Sequence, residues 1–265
     1  MKICLTGHNG FIGKHISDFF KHKYSISKIN LREIKNKSDF NKNFFLSKFD
    51  KADVIINCAA SLNPKSENDF FINQLLPKLI ANNIDAYLED CVLIHLSTIN
   101  VLIEDRKDMY TKSKMIAEKN LKDTNSIIVR LPLIYEKTNN QIVNNGNFKQ
   151  LFNYLNFRLP IYPMIYPGQI YEPLTTDKLL NFFQNLFLNK NIDQKYFNLC
   201  GEYKKNLFDI FEEIAKQQNK IPIKLNLNRL LPKFLTQYFL KKNGFFQQLS
   251  NIDNTNIKEN KYILK

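Results

Sequence analysis

Two short segments carry residue types whose spacing suits redox chemistry. Near the start lies Thr6-Gly7-His8-Asn9-Gly10-Phe11-Ile12-Gly13, and about a hundred residues later lies Tyr110-Thr111-Lys112-Ser113-Lys114. Gly7, Gly10 and Gly13 recur every third residue between an apolar run, Lys2 to Leu5, and a helical pattern, Phe11 to Phe20. Without side chains, such a turn can tighten, and its backbone N–H groups can face a pyrophosphate at the positive end of the helix. The first interval holds two residues rather than the one of the commonest dinucleotide fingerprint, so the turn is a variant. A purely structural turn is the alternative; the position after a first strand favours the dinucleotide.

Tyr110 and Lys114 are four apart on a helical pattern, hence one turn apart on one face. A phenol titrates near 10, so a tyrosine acting as a base near neutrality needs a shift of about 3 units, roughly 4 kcal/mol. A neighbouring ammonium and a nicotinamide cation are the means of supplying it. Taken alone, the pair also fits an ordinary amphipathic helix. The third element is Leu96-Ser97-Thr98, closing the apolar run Val92 to Leu96. Ligands bind at the carboxyl ends of strands in open parallel sheets, so the Thr98 hydroxyl is expected to point into the crevice and bond a substrate oxygen. A turn or helix-cap hydroxyl is the alternative. Cofactor preference is read at Ile29-Asn30-Leu31-Arg32-Glu33, where no acid stands at the strand end and Arg32 is the nearest charge. That favours NADPH over NADH, with Glu33 keeping NAD open.

These residues need a scaffold, and the apolar pattern supplies one. Lys2 to Leu5, Ile26 to Leu31, Asp53 to Cys58, Val92 to Leu96 and Ile127 to Leu131 read as short strands of a parallel sheet. Helical patterns lie between them, at Phe11 to Phe20, Asn68 to Asn82 and Tyr110 to Leu121. The alternation predicts an α/β fold with a doubly wound parallel sheet and right-handed crossovers. After Pro132 the stretch punctuated by Pro160, Pro163, Pro167, Gly168 and Pro173 reads as loop-rich, and a second, smaller lobe is expected there. A helix from Thr176 to Leu188 and a strand from Tyr196 to Leu199 return to the first domain. From Asn206 onward the pattern is helical, with an interruption at Ile221-Pro222-Ile223, and the polar terminus frays. The expected division is 1–135 with 173–200 for the dinucleotide domain, and 136–172 with 201–265 for the substrate lobe.

At 265 residues, with 44% hydrophobic and 24% charged, the chain can bury a full core. Met1-Lys2-Ile3-Cys4-Leu5 is too short for a signal-peptide core, and no run reaches the roughly 18 apolar residues of a membrane span, so a cytoplasmic protein with no integral membrane segment is expected. Cys4, Cys58, Cys91 and Cys200 are far apart with no Cys-x-x-Cys spacing, which argues for reduced core residues and against a disulfide framework or a metal site. The net charge is +13, but its lysines are spread along the whole chain, so no nucleic-acid partner is expected. Leu230, Leu231, Phe234, Leu235, Phe239 and Leu240 recur at helical spacing among Lys233, Lys241 and Lys242. Packing of the second lobe or a dimer face is the preferred reading of that stretch over a membrane-surface helix.

In these segments the chain resembles the extended short-chain dehydrogenase/reductase family, the group of nucleotide-sugar epimerases, dehydratases and 4-keto reductases that includes dTDP-4-dehydrorhamnose reductases. The likeness runs from Met1 to about Leu199. Thr6 to Gly13 resembles the family's glycine turn, placing Asn9, Phe11 and Ile12 beside the cofactor with the glycines. Asn57-Cys58-Ala59-Ala60 resembles the Asn-x-Ala-Ala strand end, Asn73 the helix asparagine, and His95-Leu96-Ser97-Thr98 the strand carrying the catalytic hydroxyl. Arg130-Leu131-Pro132-Leu133-Ile134-Tyr135 resembles the segment whose proline lies by the nicotinamide, and Tyr171 to Asp177 the return to the core. The resemblance implies that Tyr110 is the acid/base, that Lys114 holds the ribose and lowers the phenol's pKa, and that Thr98 orients the substrate. It also implies cofactor contacts at Cys58, Ala59, Ala60, Asn73, Ser97 and Pro132.

Departures narrow the implied reaction. Ile99-Asn100 follows the threonine where sugar dehydratases carry Asp-Glu, which disfavours dehydration and leaves Asn100 on the substrate side. The reductases' frequent Thr-Asp is absent too. Gly168-Gln169 replaces a basic diphosphate ligand, with Arg158 as the substitute. The implied activity is reduction of a 4-keto nucleotide-sugar with NAD(P)H for surface-polysaccharide precursors. The alternatives are a 4-epimerase with tightly bound NAD and a non-catalytic dinucleotide-sensing regulator. A homodimer is possible, as family members often pair through the Tyr110 helix.

Overall fold

The computed structural model describes residues 1–265 apart from 32, 33, 35, 36, 105, 107, 190–193, 227–254, 256, 258, 264 and 265. Two compact units are present: Met1–Leu131 with Leu180–Leu199, and Pro132–Leu179 with Cys200–Lys265.

The first unit alternates strand and helix. Its elements are β1 (Lys2–Thr6), α1 (Phe11–Phe20), β2 (Ser25–Ile29), α2 (Lys42–Phe49), β3 (Val54–Asn57), α3 (Glu67–Phe70), α4 (Leu76–Tyr87), β4 (Val92–Thr98), α5 (Met109–Asn120) and β5 (Ser126–Leu131). The helix Thr176–Leu188 and the strand Tyr196–Cys200 follow later in the chain. The sheet is parallel, in the order Tyr196–Cys200, β5, β4, β3, β1, β2. This is the expected doubly wound arrangement, and the order turns back on itself between β1 and β3. At such a switch point the loops leaving the two strands diverge and open a crevice.

Ile3, Cys4 and Leu5 of β1 and Ile55 and Ile56 of β3 are fully buried, as central parallel strands covered on both faces must be. β2 sits at the edge, which explains its alternating Ser-Ile-Ser-Lys-Ile texture. One layer packs Phe40, Phe45 and Phe49 against Ile55, Ile80 and Ile84, with the Phe45 and Phe49 rings stacked 5.0 Å apart. Helix α2, which supplies two of these rings, is hidden in a Lys/Asn-rich stretch; it is started by Asn41, whose side chain accepts from the Phe44 amide at 3.0 Å. On the other layer Phe20 of α1 meets Phe187 at 5.1 Å.

The single helix expected over Asn68–Asn82 is broken into α3, a π-helical turn at Phe71–Leu75, and α4. A π turn adds one residue per ladder step and turns a side chain that a straight helix would place elsewhere. That side chain is Asn73.

In the second unit Leu207–Gln217 forms a helix, started by a reciprocal Asn206–Asp209 capping box. Beyond it the sequence reading needs correction: Pro222–Leu225 is a strand, parallel to Tyr162–Ile165, not a gap between helices. Proline is tolerated at the first residue of an edge strand, and the apolar residues around it alternate. The stretch read as loop also holds a helix, Lys149–Leu155, whose Leu151, Phe152 and Leu155 pack with Tyr162, Phe208 and Phe211. The apolar segment from Arg229 to Phe245 lies outside the described residues.

Candidate active site

The glycine turn leaves β1 and enters α1. Gly7 sits at φ +65°, its carbonyl accepts from the Gly10 amide at 2.9 Å, and a Cβ there would fall 2.5 Å from the Ala59 nitrogen. A Cβ on Gly13 would run into the Gly7 carbonyl. The first turn of α1 therefore lies flat on the β1 exit, and that exit lies flat on the Cys58–Ala59 peptide leaving β3. Helix α1 has no side-chain cap and no acid in its first turn, so its leading N–H groups remain for an anion. His8 Nδ1 is buried in this turn without a partner among the described residues. Asn9 is exposed and Phe11 and Ile12 are half-buried at its rim. A cradle that any Cβ would fill, at an uncapped helix end beside the switch point, fits the diphosphate of a dinucleotide.

Across the switch point runs a buried polar row. Thr6, Asn57 and His95 are register partners on β1, β3 and β4. The Thr6 hydroxyl donates to Asn57 Oδ1 at 2.6 Å, the Ala59 amide donates to the same oxygen at 3.3 Å, and Asn57 Nδ2 meets His95 Nδ1 at 3.1 Å. Asn73, fully buried, accepts from the Ser61 amide at 2.8 Å and donates to the Ser61 carbonyl and the Ser113 hydroxyl at 2.9 and 3.0 Å. It ties the segment after β3 to α5, so its side chain braces the crevice wall.

Helix α5 begins at Asp108, whose carboxylate accepts from the Thr111 amide and hydroxyl, both at 2.8 Å. Tyr110 thus falls in the first turn and Lys114 one turn later. Lys114 is almost fully buried and its Nζ donates to the Leu96 carbonyl at 2.8 Å, two residues before Thr98 on β4. Burial pulls its pKa down to about 8, while the Cys58 thiol and Glu118 hold it up. Burial pushes the Cys58 thiol up to about 12, partly offset by Lys114. The ammonium is therefore bracketed by the ends of β3 and β4.

The phenol behaves differently from the sequence expectation. Burial, with the Asp108 carboxylate added, pushes Tyr110 up to about 12, and Lys114 does not pull it down. The ammonium donates to the strand, at the Leu96 carbonyl. In this state Tyr110 holds its proton throughout the neutral range.

Thr98 is buried and its hydroxyl accepts from the Asn100 amide at 3.3 Å, capping the 3₁₀ turn Ile99–Leu102. The cap uses only a lone pair, so the hydroxyl proton stays available. Ser97 does not present its hydroxyl to a ligand: it donates to Glu118 on α5. Cys58 and Ala59 are half-buried and Ala60 exposed after β3. Pro132 and Arg158 belong to the second unit, half-buried and exposed respectively, and Asn100 is half-buried. Arg32 lies outside the described residues. His95 is the residue whose place in the row sequence reasoning missed; its signal was a histidine inside an otherwise apolar strand, lined up by register with Thr6 and Asn57.

No family model matches the chain, and no curated protein matches it in sequence. Solved structures do match. A dTDP-4-dehydrorhamnose reductase from Clostridium acetobutylicum is 21% identical with a TM-score of 0.70, over 85% of this chain and 84% of that one. The corresponding reductase from Bacillus anthracis, in complex with NADP, is 19% identical with a TM-score of 0.67 over 84% of each chain. A UDP-glucuronic acid 4-epimerase from Bacillus cereus, in complex with UDP-glucuronic acid and NAD, is 16% identical with a TM-score of 0.65 over 85% and 86%. At these identities the likeness is one of fold: the chain folds as the extended short-chain dehydrogenase/reductases do. Among the described residues no helix is long and apolar enough to cross a membrane.

Proposed function

We propose that this protein is an NAD(P)-dependent oxidoreductase of nucleotide-activated sugars, reducing a 4-keto sugar. The observation that carries the reading is the placement of Tyr110 and Lys114 on α5, with the Lys114 ammonium fastened to the carbonyl of Leu96 on the strand that ends in Thr98. When bound, the nicotinamide supplies the hydride. Gly7, Asn9, Gly10, Phe11, Ile12 and Gly13 receive the diphosphate, and the Cys58–Ala60 segment lines the crevice beside them. Lys114 spends one ammonium hydrogen on Leu96 and offers the rest to ribose hydroxyls.

Thr98 donates its hydroxyl proton to the sugar carbonyl and orients it. Tyr110 passes its proton to that oxygen as negative charge develops there. A phenol held near 12 is about one part in 10⁵ ionised at pH 7. Tyr110 therefore carries the proton that it passes to the sugar oxygen. The NADP found with the Bacillus anthracis reductase supports NADPH as the reductant. Asn100 is assigned to the substrate side, and the reaction to surface-polysaccharide precursors.

A thermal-shift screen with NADH, NADPH and UDP-, dTDP- and GDP-sugars tests the binding half, because a ligand of the native state raises its apparent stability. Tyr110→Phe tests the chemistry: turnover of a 4-keto nucleotide-sugar should fall by about 10²–10⁴ while NADPH affinity stays within a few-fold. Failure of every dinucleotide to stabilise the protein, or full activity in Tyr110→Phe, overturns the reading. A stoichiometric NAD that survives dialysis replaces it with a 4-epimerase.

A further inference from the structure

The second unit carries an apolar face that stands open. In the parallel strands Tyr162–Ile165 and Pro222–Leu225, Tyr162 and Met164 turn into the core, so Pro163 and its register partner Ile223 face away from it. Ile161 and Ile221, one residue ahead of each strand, continue this outward set, and the Tyr162 amide donates to the Ile221 carbonyl at 2.9 Å, which draws the two segments together. Phe157 joins them, because its carbonyl accepts from the Tyr162 hydroxyl. Parallel strands are ordinarily covered on both faces, yet Phe157 is 63% and Ile221 62% exposed, and Leu159, Ile161 and Ile223 are exposed with them. A contiguous apolar patch of this kind marks a surface that meets a partner.

Charge says which partner. No Asp or Glu occurs between Glu136 and Glu172 or between Glu213 and Asp253, the stretches that supply this face. Lys220 Nζ lies 5.5 Å over the Tyr162 ring and Lys224 Nζ 4.7 Å over the Tyr166 ring, so their stems run along apolar surface and their ammonium groups sit at its rim. Arg158 stands exposed between Phe157 and Leu159. The acids of the neighbouring helix are already held, Glu212 by Lys216 and Glu213 by Lys137 and Lys205. A second copy of the chain would set these cations against one another. An anionic bilayer instead lets rings and aliphatic chains enter the acyl boundary while ammonium groups meet lipid phosphates. We propose that Phe157, Leu159, Ile161, Ile221 and Ile223 form a docking face for an anionic membrane surface, with Lys220 and Lys224 as its lipid-phosphate contacts. The proposal is independent of the reaction assigned to Tyr110.

The chain has no tryptophan, so Phe157→Trp supplies a single reporter in the full-length protein. On vesicles of mixed phosphatidylglycerol and phosphatidylcholine its emission should shift to the blue and be quenched by brominated acyl chains, and vesicles of phosphatidylcholine alone should bind about tenfold more weakly. In vesicle sedimentation, Phe157→Ser combined with Ile221→Ser should weaken binding to the anionic vesicles about tenfold. Lys220→Gln combined with Lys224→Gln should weaken it several-fold and flatten its dependence on salt. Both pairs should keep the urea midpoint of wild type, since the replaced groups lie at the surface. No sedimentation with anionic vesicles, an unshifted tryptophan emission, or binding that survives the Phe157 and Ile221 replacements overturns the proposal. A wild-type dimer that those replacements dissociate assigns the face to self-association and overturns it as well.

Discussion

Two buried polar rows cross the parallel sheet two residues apart on β4, and they end differently. Ser97, Arg130 and Asn198 are register partners on β4, β5 and the strand Tyr196–Cys200. Arg130 holds Glu118 of α5 through Nε and through a 2.7 Å contact from its terminal nitrogen, donates to Asn198 at 3.2 Å, and lies 4.7 Å over the Tyr196 ring. Ser97 donates to the same carboxylate. The bonds of this row close on one another. The Thr6–Asn57–His95 row is as deeply buried, yet His95 Nε2 at its end has no hydrogen-bond partner among the described residues.

A satisfied buried network stiffens the structure around it, whereas a partly satisfied one is tolerated where a ligand gives the strain a use. The closed row fastens α5 to the sheet at Glu118, while Lys114, one turn earlier on the same helix, is fastened separately to the Leu96 carbonyl.

Breaking the closed row should produce the larger loss of stability. Arg130→Leu leaves the Glu118 carboxylate buried with only the Ser97 hydroxyl, and unfolding in urea should show a loss of about 3–5 kcal/mol. A loss below 1 kcal/mol would mean that the row does not hold α5. Lys114 should give the fold a pH dependence of its own. Its pKa falls from 10.5 to about 8 on folding, so between those values the unfolded chain binds more protons, and raising the pH stabilises the fold. The buried cysteines and Tyr110 act in the opposite sense, so the quantity to follow is wild type minus Lys114→Met. That difference in unfolding free energy should rise between pH 8 and 10.5 by an amount of order 3 kcal/mol, while NADPH affinity of wild type falls as the ammonium is lost. A flat difference would place Lys114 outside the buried site. The smallest change is Thr6→Val, which removes one of two donors to Asn57 Oδ1 and should lower stability by about 1 kcal/mol. An effect as large as that of Arg130→Leu would erase the distinction between the rows.

Much of the fold is legible along the chain because each cue is local. The strands Lys2–Thr6 and Ser126–Leu131 are built on apolar runs, and Phe11–Phe20 and Thr176–Leu188 are helices with the boundaries that periodicity predicts. Helix α2 escaped notice because its phenylalanines are diluted among lysines and asparagines, and Pro222–Leu225 because its partner, Tyr162–Ile165, is 60 residues earlier.

What the amino-acid order determined by itself is the chemistry that neighbours in the chain can specify: a glycine turn at the first strand, and a phenol and an ammonium one helical turn apart. What tertiary structure alone decided is every property that depends on residues brought together across the sheet. Register put Asn57 between Thr6 and His95 and so joined three strands through one buried hydrogen-bonded row. Burial, not sequence spacing, sent the Tyr110 and Lys114 pKa values in opposite directions, because desolvation penalises whichever form of each group is charged.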